Sequence, residues 1–341
     1  MENFAIDTGF GFIMAKSSTK NVMYSNLILE VNEDNVSMIQ EAMEDDEILI
    51  KFKGTYFVLG DLALKLNNST RRHMSNNRTT DINHLAQIIT SVALLKDGDN
   101  IQANIILGLP NKLAYKKSEL SKNTIGKYEI DIILKDKIKH KNINIQNCLV
   151  VEQCISSIFN LKMDGIKKYE ILSLDIGHNT TDITILRKGV KSTNPREWVN
   201  GEGVRYCFDL LEQELIRKFR EQYGLMSIEE NRLQEAWIDG LFKIKSQILD
   251  VTDITKPIYK KFANYIFHIL EDNFSDSLGK ADIIIASGGI CNNSIFIHEL
   301  SELLKQYNIL FKTFGDAQWA VTNGMYKIIN SKFKEETVGD K

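Results

Sequence analysis

Hydrophobic and polar positions follow two rhythms along this chain. Apolar and β-branched residues either run together until a Gly, Asn or Pro stops them, as in strands, or recur three and four apart, as in helices. Residues 4–15 form two apolar strands around the turn Asp7-Thr8-Gly9-Phe10-Gly11. Another strand follows at 23–29, and the acidic run 41–47 reads as the exposed face of a connecting helix or loop. Strands at 48–52 and 56–59 flank Lys53-Gly54-Thr55, a hairpin turn by composition. Gly60-Asp61 opens a short helix. Residues 69–78 form a polar loop with Arg71, Arg72, His73 and Arg78, which reads as solvated, with a contact to a neighbouring subunit as the alternative. Ile82, Leu85, Ile88, Ile89, Val92 and Leu95 then mark an amphipathic helix ending near Asp97-Gly98. A buried strand at 103–109 stops at Pro110. Strands at 128–134 and 143–151 lead into a helix at 155–161.

The second half repeats the mixture. A strand at 172–176, the turn Gly177-His178-Asn179 and a strand at 180–186 make a second hairpin, in a turn whose Gly and Asn tolerate positive φ. Gly201-Glu202-Gly203-Val204 begins a helix with the apolar face Val204, Phe208, Leu211, Leu215 and Phe219. A helical block at 228–250 carries Lys243 and Lys245 beside an apolar stripe, and a further helix spans 258–270. The buried strand 281–286 runs into Ser287-Gly288-Gly289 before a helix at 294–307. A strand at 309–314 and a helix at 317–329 complete the chain. In that helix Ala320 and Gly324, at i and i+4, leave a smooth face for close helix contact.

Composition narrows the class. A chain of 341 residues suits two domains, and 43% hydrophobic with 26% charged residues is a globular balance. A formal net charge of −3 suggests neither a dedicated nucleic-acid binder nor a membrane binder. Cys148, Cys154, Cys207 and Cys291 form no CxxC pair, which disfavours zinc and a disulfide framework and fits a reducing cytoplasm. The expectation is a cytoplasmic protein with no signal peptide and no membrane anchor.

Three stretches carry candidate chemistry. Asp7-Thr8-Gly9 and Asp175-Ile176-Gly177 are two copies of an Asp-x-Gly hairpin, in which backbone N–H groups and threonine hydroxyls can converge on an anion while the aspartate faces a metal ion. One copy alone reads equally as a structural turn; two suggest a duplication whose halves grip one polyphosphate. Glu152, where a strand passes into a helix, either complements the helix dipole or holds a water in line with a terminal phosphate. Ser287-Gly288-Gly289 lets a ligand approach the backbone, as many glycine-rich turns do.

With these motifs in this order, the chain resembles the actin, sugar-kinase and heat-shock-chaperone superfamily, and within it the bacterial actin-like ATPases of the ParM plasmid-segregation family. Gly108-Leu109-Pro110 followed by a basic helix, and the ending Asp316-Ala317-Gln318-Trp319-Ala320-Val321-Thr322-Asn323-Gly324, carry the ParM likeness. The resemblance implies an α/β actin-like ATPase fold, with two similar ribonuclease H-like domains around a nucleotide cleft. Domain I would be 1–160, with the C-terminal helix 325–341 packing back on it, and domain II 161–324. It further implies that Asp7 and Asp175 approach Mg²⁺ through water. Thr8, Gly9, Phe10 and Gly11, with Gly177, His178, Asn179 and Thr180, would cradle the phosphates of ATP or GTP. Glu152 would orient the attacking water, Ser287, Gly288 and Gly289 would meet the α-phosphate and adenosine, Gly203 would lie near the ribose and Lys245 on the base. Relatives often carry glycines where this chain has His178-Asn179. The implied function is a head-to-tail filament formed on Mg-ATP, segregating plasmid DNA through a DNA-bound adaptor at a centromere-like site, with no direct nucleic-acid contact. A small-molecule kinase of the same fold and a non-polymerising nucleotide-binding scaffold are the alternatives.

Overall fold

An antiparallel hairpin laid beside a parallel strand occurs twice in the computed structural model, which describes residues 1–67, 77–161, 168–192 and 198–333. The chain divides into two units, Met1–Lys162 with Trp319–Lys341, and Met163–Gln318. The four cysteines are buried and form no disulfide with one another. Among the described residues no helix is long and apolar enough to cross a membrane.

The first unit runs β1 (Glu2–Thr8), β2 (Phe12–Lys16), β3 (Asn21–Ser25), β4 (Ile28–Val31), α1 (Glu33–Ala42), β5 (Ile48–Phe52), β6 (Thr55–Leu59), α2 (Asp61–Leu66), α3 (Ile82–Leu95), β7 (Asn100–Leu109), α4 (Lys117–Thr124), β8 (Gly126–Ile133), β9 (Ile138–Glu152) and α5 (Gln153–Ser156). Its nine strands lie in the order β3-β2-β1-β7-β9-β8-β5-β6-β4, with β1, β7 and β9 parallel at the centre. From Ala103 onward β7 is buried on both faces, and its end, Ile105–Leu109, is an unbroken apolar run. The period-2 alternation of β1 decides what each residue meets. Phe4 and Ile6 join Ile89 and Val92 of α3 in one core, while Ala5 belongs to a second cluster on the other side.

In the second unit, β10 (Glu170–Ile176), β11 (Thr180–Arg187), β12 (Val190–Lys191), β13 (Trp198–Glu202), α6 (Arg205–Tyr223), α7 (Glu230–Asp239), β14 (Leu241–Ile244), β15 (Gln247–Asp250), α8 (Thr252–Leu278), β16 (Ile283–Ser287), α9 (Ser294–Leu304) and β17 (Leu310–Lys312) follow in order. The sheet order is β12-β11-β10-β16-β17, with β13 also on β11 and with β10, β16 and β17 parallel. Both sheets thus share one plan: a hairpin, then two strands parallel to its first strand. Leu172, Leu174 and Ile176 of β10 enter a core with Phe208, Leu211 and Leu215 of α6 and Phe262 and Ile266 of α8.

The last helix, α10 (Ala320–Lys332), belongs to the first unit. Val321, Met325 and Ile329 pack on Ala5 and Ile106. A Cβ on Gly324 would lie 1.8 Å from the Ser156 carbonyl oxygen, so the smooth helix face expected from Ala320 and Gly324 is used to bring two backbones together.

Several expected elements come out differently. The strand at 23–29 is two strands, β3 and β4, because Asn26 between them is drawn to the first turn: its amide donates to the Gly11 carbonyl at 3.0 Å. The helical block 228–250 stops at Gly240, which is left-handed at φ 67°, and a hairpin of β14 and β15 replaces its second half. There Phe242 and Ile244 are buried while Leu241 and Lys243 are exposed, a strand alternation inside an apparent helical stripe. Gly201 and Glu202 end β13, and the helix expected from them begins at Arg205. Arg71, Arg72 and His73 of the basic loop lie outside the described residues.

Candidate functional site

Asp7, Gly108 and Glu152 stand at the carboxyl ends of three adjoining parallel strands, β1, β7 and β9, where α/β sheets commonly gather ligands. Alternation turns Asp7 and Thr8 to opposite faces. Asp7 is 4% exposed, and its Oδ1 accepts a hydrogen bond from Gln153 Nε2 at the start of α5. Burial pushes its carboxyl up to about 6, against the opposing pull of the Gln153 hydrogen bond and the Arg78 charge. Thr8 faces α3. His84 Nε2 lies 3.0 Å from Thr8 Oγ1 and its Nδ1 2.7 Å from the Arg78 carbonyl oxygen.

Arg78 is the unexpected member. It is 4% exposed, its Nη1 donates to the Thr8 carbonyl, and its guanidinium lies over the Phe10 ring at 4.4 Å. Burial lowers its proton affinity to about 10, opposed by the charge of Asp7. Asn26 Nδ2 donates to the Gly9 carbonyl at 2.7 Å and is itself oriented by Gln87 Nε2, which donates to Asn26 Oδ1 at 2.7 Å. The carbonyls of Thr8, Gly9 and Gly11 are therefore all engaged from the protein side. In a trans peptide the next N–H points opposite to the carbonyl, so the Gly9 and Phe10 amides point away from these anchors.

The second turn reaches the same arrangement by other means. The Gly203, Val204 and Arg205 amides donate to the carbonyls of Asn179, Gly177 and His178 at 3.1, 3.0 and 2.8 Å. By the same geometry the His178, Asn179 and Thr180 amides point the other way. Gly203 makes this possible, since a Cβ there would lie 2.5 Å from the His178 carbonyl oxygen. Its lack of a side chain is used by the turn itself. The His178 ring folds back into the protein, edge-on to Phe208 at 5.7 Å, with Nε2 3.0 Å from Glu230 Oε1 at the start of α7. The larger residue at this position thus leaves the turn's backbone path intact.

Asp175 is paired with Ser287 across β10 and β16, and Ser287 Oγ lies 3.0 Å from Asp175 Oδ1 and 3.1 Å from the Leu174 carbonyl oxygen. Ser287 is fully buried, so its hydroxyl orients Asp175. Gly288 sits at φ 103°, and a Cβ on it would lie 2.0 Å from the Ile176 carbonyl oxygen; no other residue fits. Gly289 has room around it, with Gln318 3.7 Å from where a Cβ would stand.

Glu152 is 7% exposed and precedes α5, yet its side chain makes no cap hydrogen bond; Lys117 Nζ donates to its Oε1 at 2.7 Å. Within its own unit Lys245 lies away from the second turn. It occupies the left-handed turn between β14 and β15, its ammonium 5.9 Å from the Tyr223 ring centroid. Tyr223 ends α6, about 27 Å along that helix from Arg205 at 1.5 Å per residue. Among the described residues no three His, Cys, Asp or Glu side chains gather as a metal cage.

Two family models match, one after the other: the N-terminal domain of actin-like proteins over residues 5–155 and the Alp7A C-terminal domain over residues 170–310. The chain belongs to the actin-like proteins. No curated sequence matches this actin-like protein. Among solved structures it is similar to a 15-stranded ParM filament from Clostridium botulinum, at 17% identity and a TM-score of 0.77, over 97% of this chain and 99% of that one. It is similar to the actin-like protein Alp7A at 13% identity and a TM-score of 0.75, over 97% and 96%. It also matches Ta0583, an archaeal actin homologue in complex with ADP, at 14% identity and a TM-score of 0.77, over 97% and 100%. At such identities these neighbours establish the actin-like, two-domain α/β fold expected from the sequence.

Proposed function

We propose that this actin-like protein binds Mg-ATP, assembles head-to-tail into filaments, and hydrolyses the nucleotide to destabilise them. In the plasmid-segregation role implied by the ParM likeness, a DNA-bound adaptor would tie the filament to its cargo. The observation that carries the nucleotide reading is the shared state of the two Asp-x-Gly turns. Each has its carbonyls tied back, one by two side chains and a main-chain amide and the other by main-chain amides alone, which aims N–H groups outward. Outward amides in a tight turn are an anion-binding device.

Asp7 and Asp175 would hold the metal through water. One carboxylate from each turn is a donor set that fits Mg²⁺, which takes one or two carboxylates together with substrate phosphates. When bound, the ion would supply positive charge against that developing on the transferring phosphoryl group. Asp7, a buried carboxylate held up to about 6, is a group whose ionised form a cation would stabilise. Glu152 would orient the attacking water, so that catalysis is mainly positioning and electrostatics. Its carboxylate is held from the side by Lys117, which gives it a fixed direction to present to a water. Closure on nucleotide would favour the polymerising conformation and hydrolysis would relax it.

Light scattering, pelleting and phosphate release with Mg-ATP test the proposal. Glu152→Ala should still polymerise but disassemble much more slowly, because release drops by about 100-fold or more. Rapid phosphate release by that variant would remove Glu152 from the mechanism. If Mg-ATP yields no scattering or pelletable polymer over a wide range of protein and salt concentrations, the filament reading is lost.

A further inference from the structure

Lys117 is the first residue of α4, which follows Gly108-Leu109-Pro110 and a short 3₁₀ turn at Asn111–Lys116. From there its ammonium donates to Glu152 Oε1 at 2.7 Å, the short distance of a charge-assisted bond. The same helix is fastened at two further points. Ser121 Oγ donates to the Cys148 carbonyl at 2.6 Å, on the strand that ends in Glu152. Asn123 Nδ2 donates to the Thr79 carbonyl at 2.8 Å, one residue from the Arg78 that holds Thr8. One short helix therefore touches the Glu152 carboxylate, the strand that carries it and the segment anchoring the first Asp-x-Gly turn.

From this we infer that Lys117 is a positioning residue for Glu152: by holding Oε1 it sets the plane of the carboxylate, and α4 ties that setting to the anchor of the first turn. A carboxylate on a flexible side chain can rotate about its last torsion, which has broad wells. An in-line water needs its acceptor in one direction, and a misplacement of about 1 Å can cost about 100-fold in rate. An ammonium fixed on a neighbouring helix removes that rotation. The inference rests on the reading of Glu152 as the water-orienting group.

The experiment measures phosphate release from Mg-ATP, binding of a fluorescent ATP analogue and thermal melting for K117M, K117R, E152Q and the double variant K117M/E152Q. Expected are release slowed about 10- to 100-fold in K117M, analogue affinity within about 2-fold of wild type, recovery of most of the rate in K117R, and a double variant no slower than E152Q alone. Because a structural defect would lower binding and melting together, the rate-only loss and the arginine rescue separate positioning from folding. If E152Q is slow while K117M releases phosphate at the wild-type rate, Lys117 positions nothing. If E152Q itself is undiminished, the reading of Glu152 fails and the inference falls with it. N123A loosens α4 away from the ion pair and decides the matter should K117M not fold: slowed release supports the inference, and wild-type release overturns it.

Discussion

Replacing Asp7 with Asn should make the nucleotide-free protein more stable at neutral pH and disable it. The Asp7 carboxyl is raised from 3.8 to about 6 by burial, even with Gln153 donating to it and the Arg78 charge nearby. A raised folded-state value means the folded protein favours the protonated acid. That stabilisation is fully present below the unfolded value and is lost as pH rises through about 6. Above that point the ionised carboxylate costs about 3 kcal/mol, from roughly two pH units at 1.36 kcal/mol each. Asn keeps an oxygen for Gln153 and carries no charge. Melting followed by circular dichroism at pH 7.5 should place D7N about 6–12 °C above wild type, at roughly 2–4 °C per kcal/mol for a unit of this size. The gap should shrink to about a fifth of that at pH 4. Saturating Mg-ATP should reverse the order, because only the wild type gains binding free energy. A D7N protein that is no more stable at pH 7.5, or whose advantage is the same at pH 4, would refute the reasoning.

Further outcomes follow from named contacts. Gly324→Ala forces a methyl to 1.8 Å from the Ser156 carbonyl oxygen and should cost about 3 kcal/mol or more, read as an earlier chemical-denaturation midpoint. Gly203→Ala should spare most of the fold but weaken ATP-analogue binding by about 10-fold or more, since a 2.5 Å clash with the His178 carbonyl pushes the second turn off its anchors. His178→Gly should lower stability by about 1 kcal/mol through the lost Phe208 contact. Analogue affinity should stay within a few-fold in that variant, and a large loss would mean that the imidazole itself meets the ligand.

Much of this architecture is legible in the sequence because local signals agree with the tertiary outcome. The Lys53-Gly54 turn is left-handed at both residues, at φ 50° and 84°, the hairpin conformation that Gly54 favours and the paired strands impose on Lys53. Helix α3 follows its apolar period. The same helix also holds what a simple amphipathic reading passes over: His84, Gln87 and Ser91 form a polar stripe at i, i+3 and i+7, and all three are buried. Such a stripe within an apolar helix signals a polar partner elsewhere, here Thr8, Asn26 and Tyr24. Arg78 could not be singled out locally, because it stands beside other basic residues and is buried by a carbonyl 70 positions away. The stretch around Lys245 misleads for the opposite reason: its apolar residues fit a helix and a hairpin equally, and Gly240 decides between them.

The two turns differ in what mutation can reach. The first depends on identities, since losing Arg78, Asn26 or His84 removes a particular donor or acceptor that no neighbour replaces. The second is fastened by main-chain amides that every residue except proline carries, so once Gly203 is kept its own side chains are open to drift. Histidine and asparagine could enter at 178 and 179 without dismantling the turn, whereas comparable freedom under the first turn would require the whole polar stripe of α3 to change in concert.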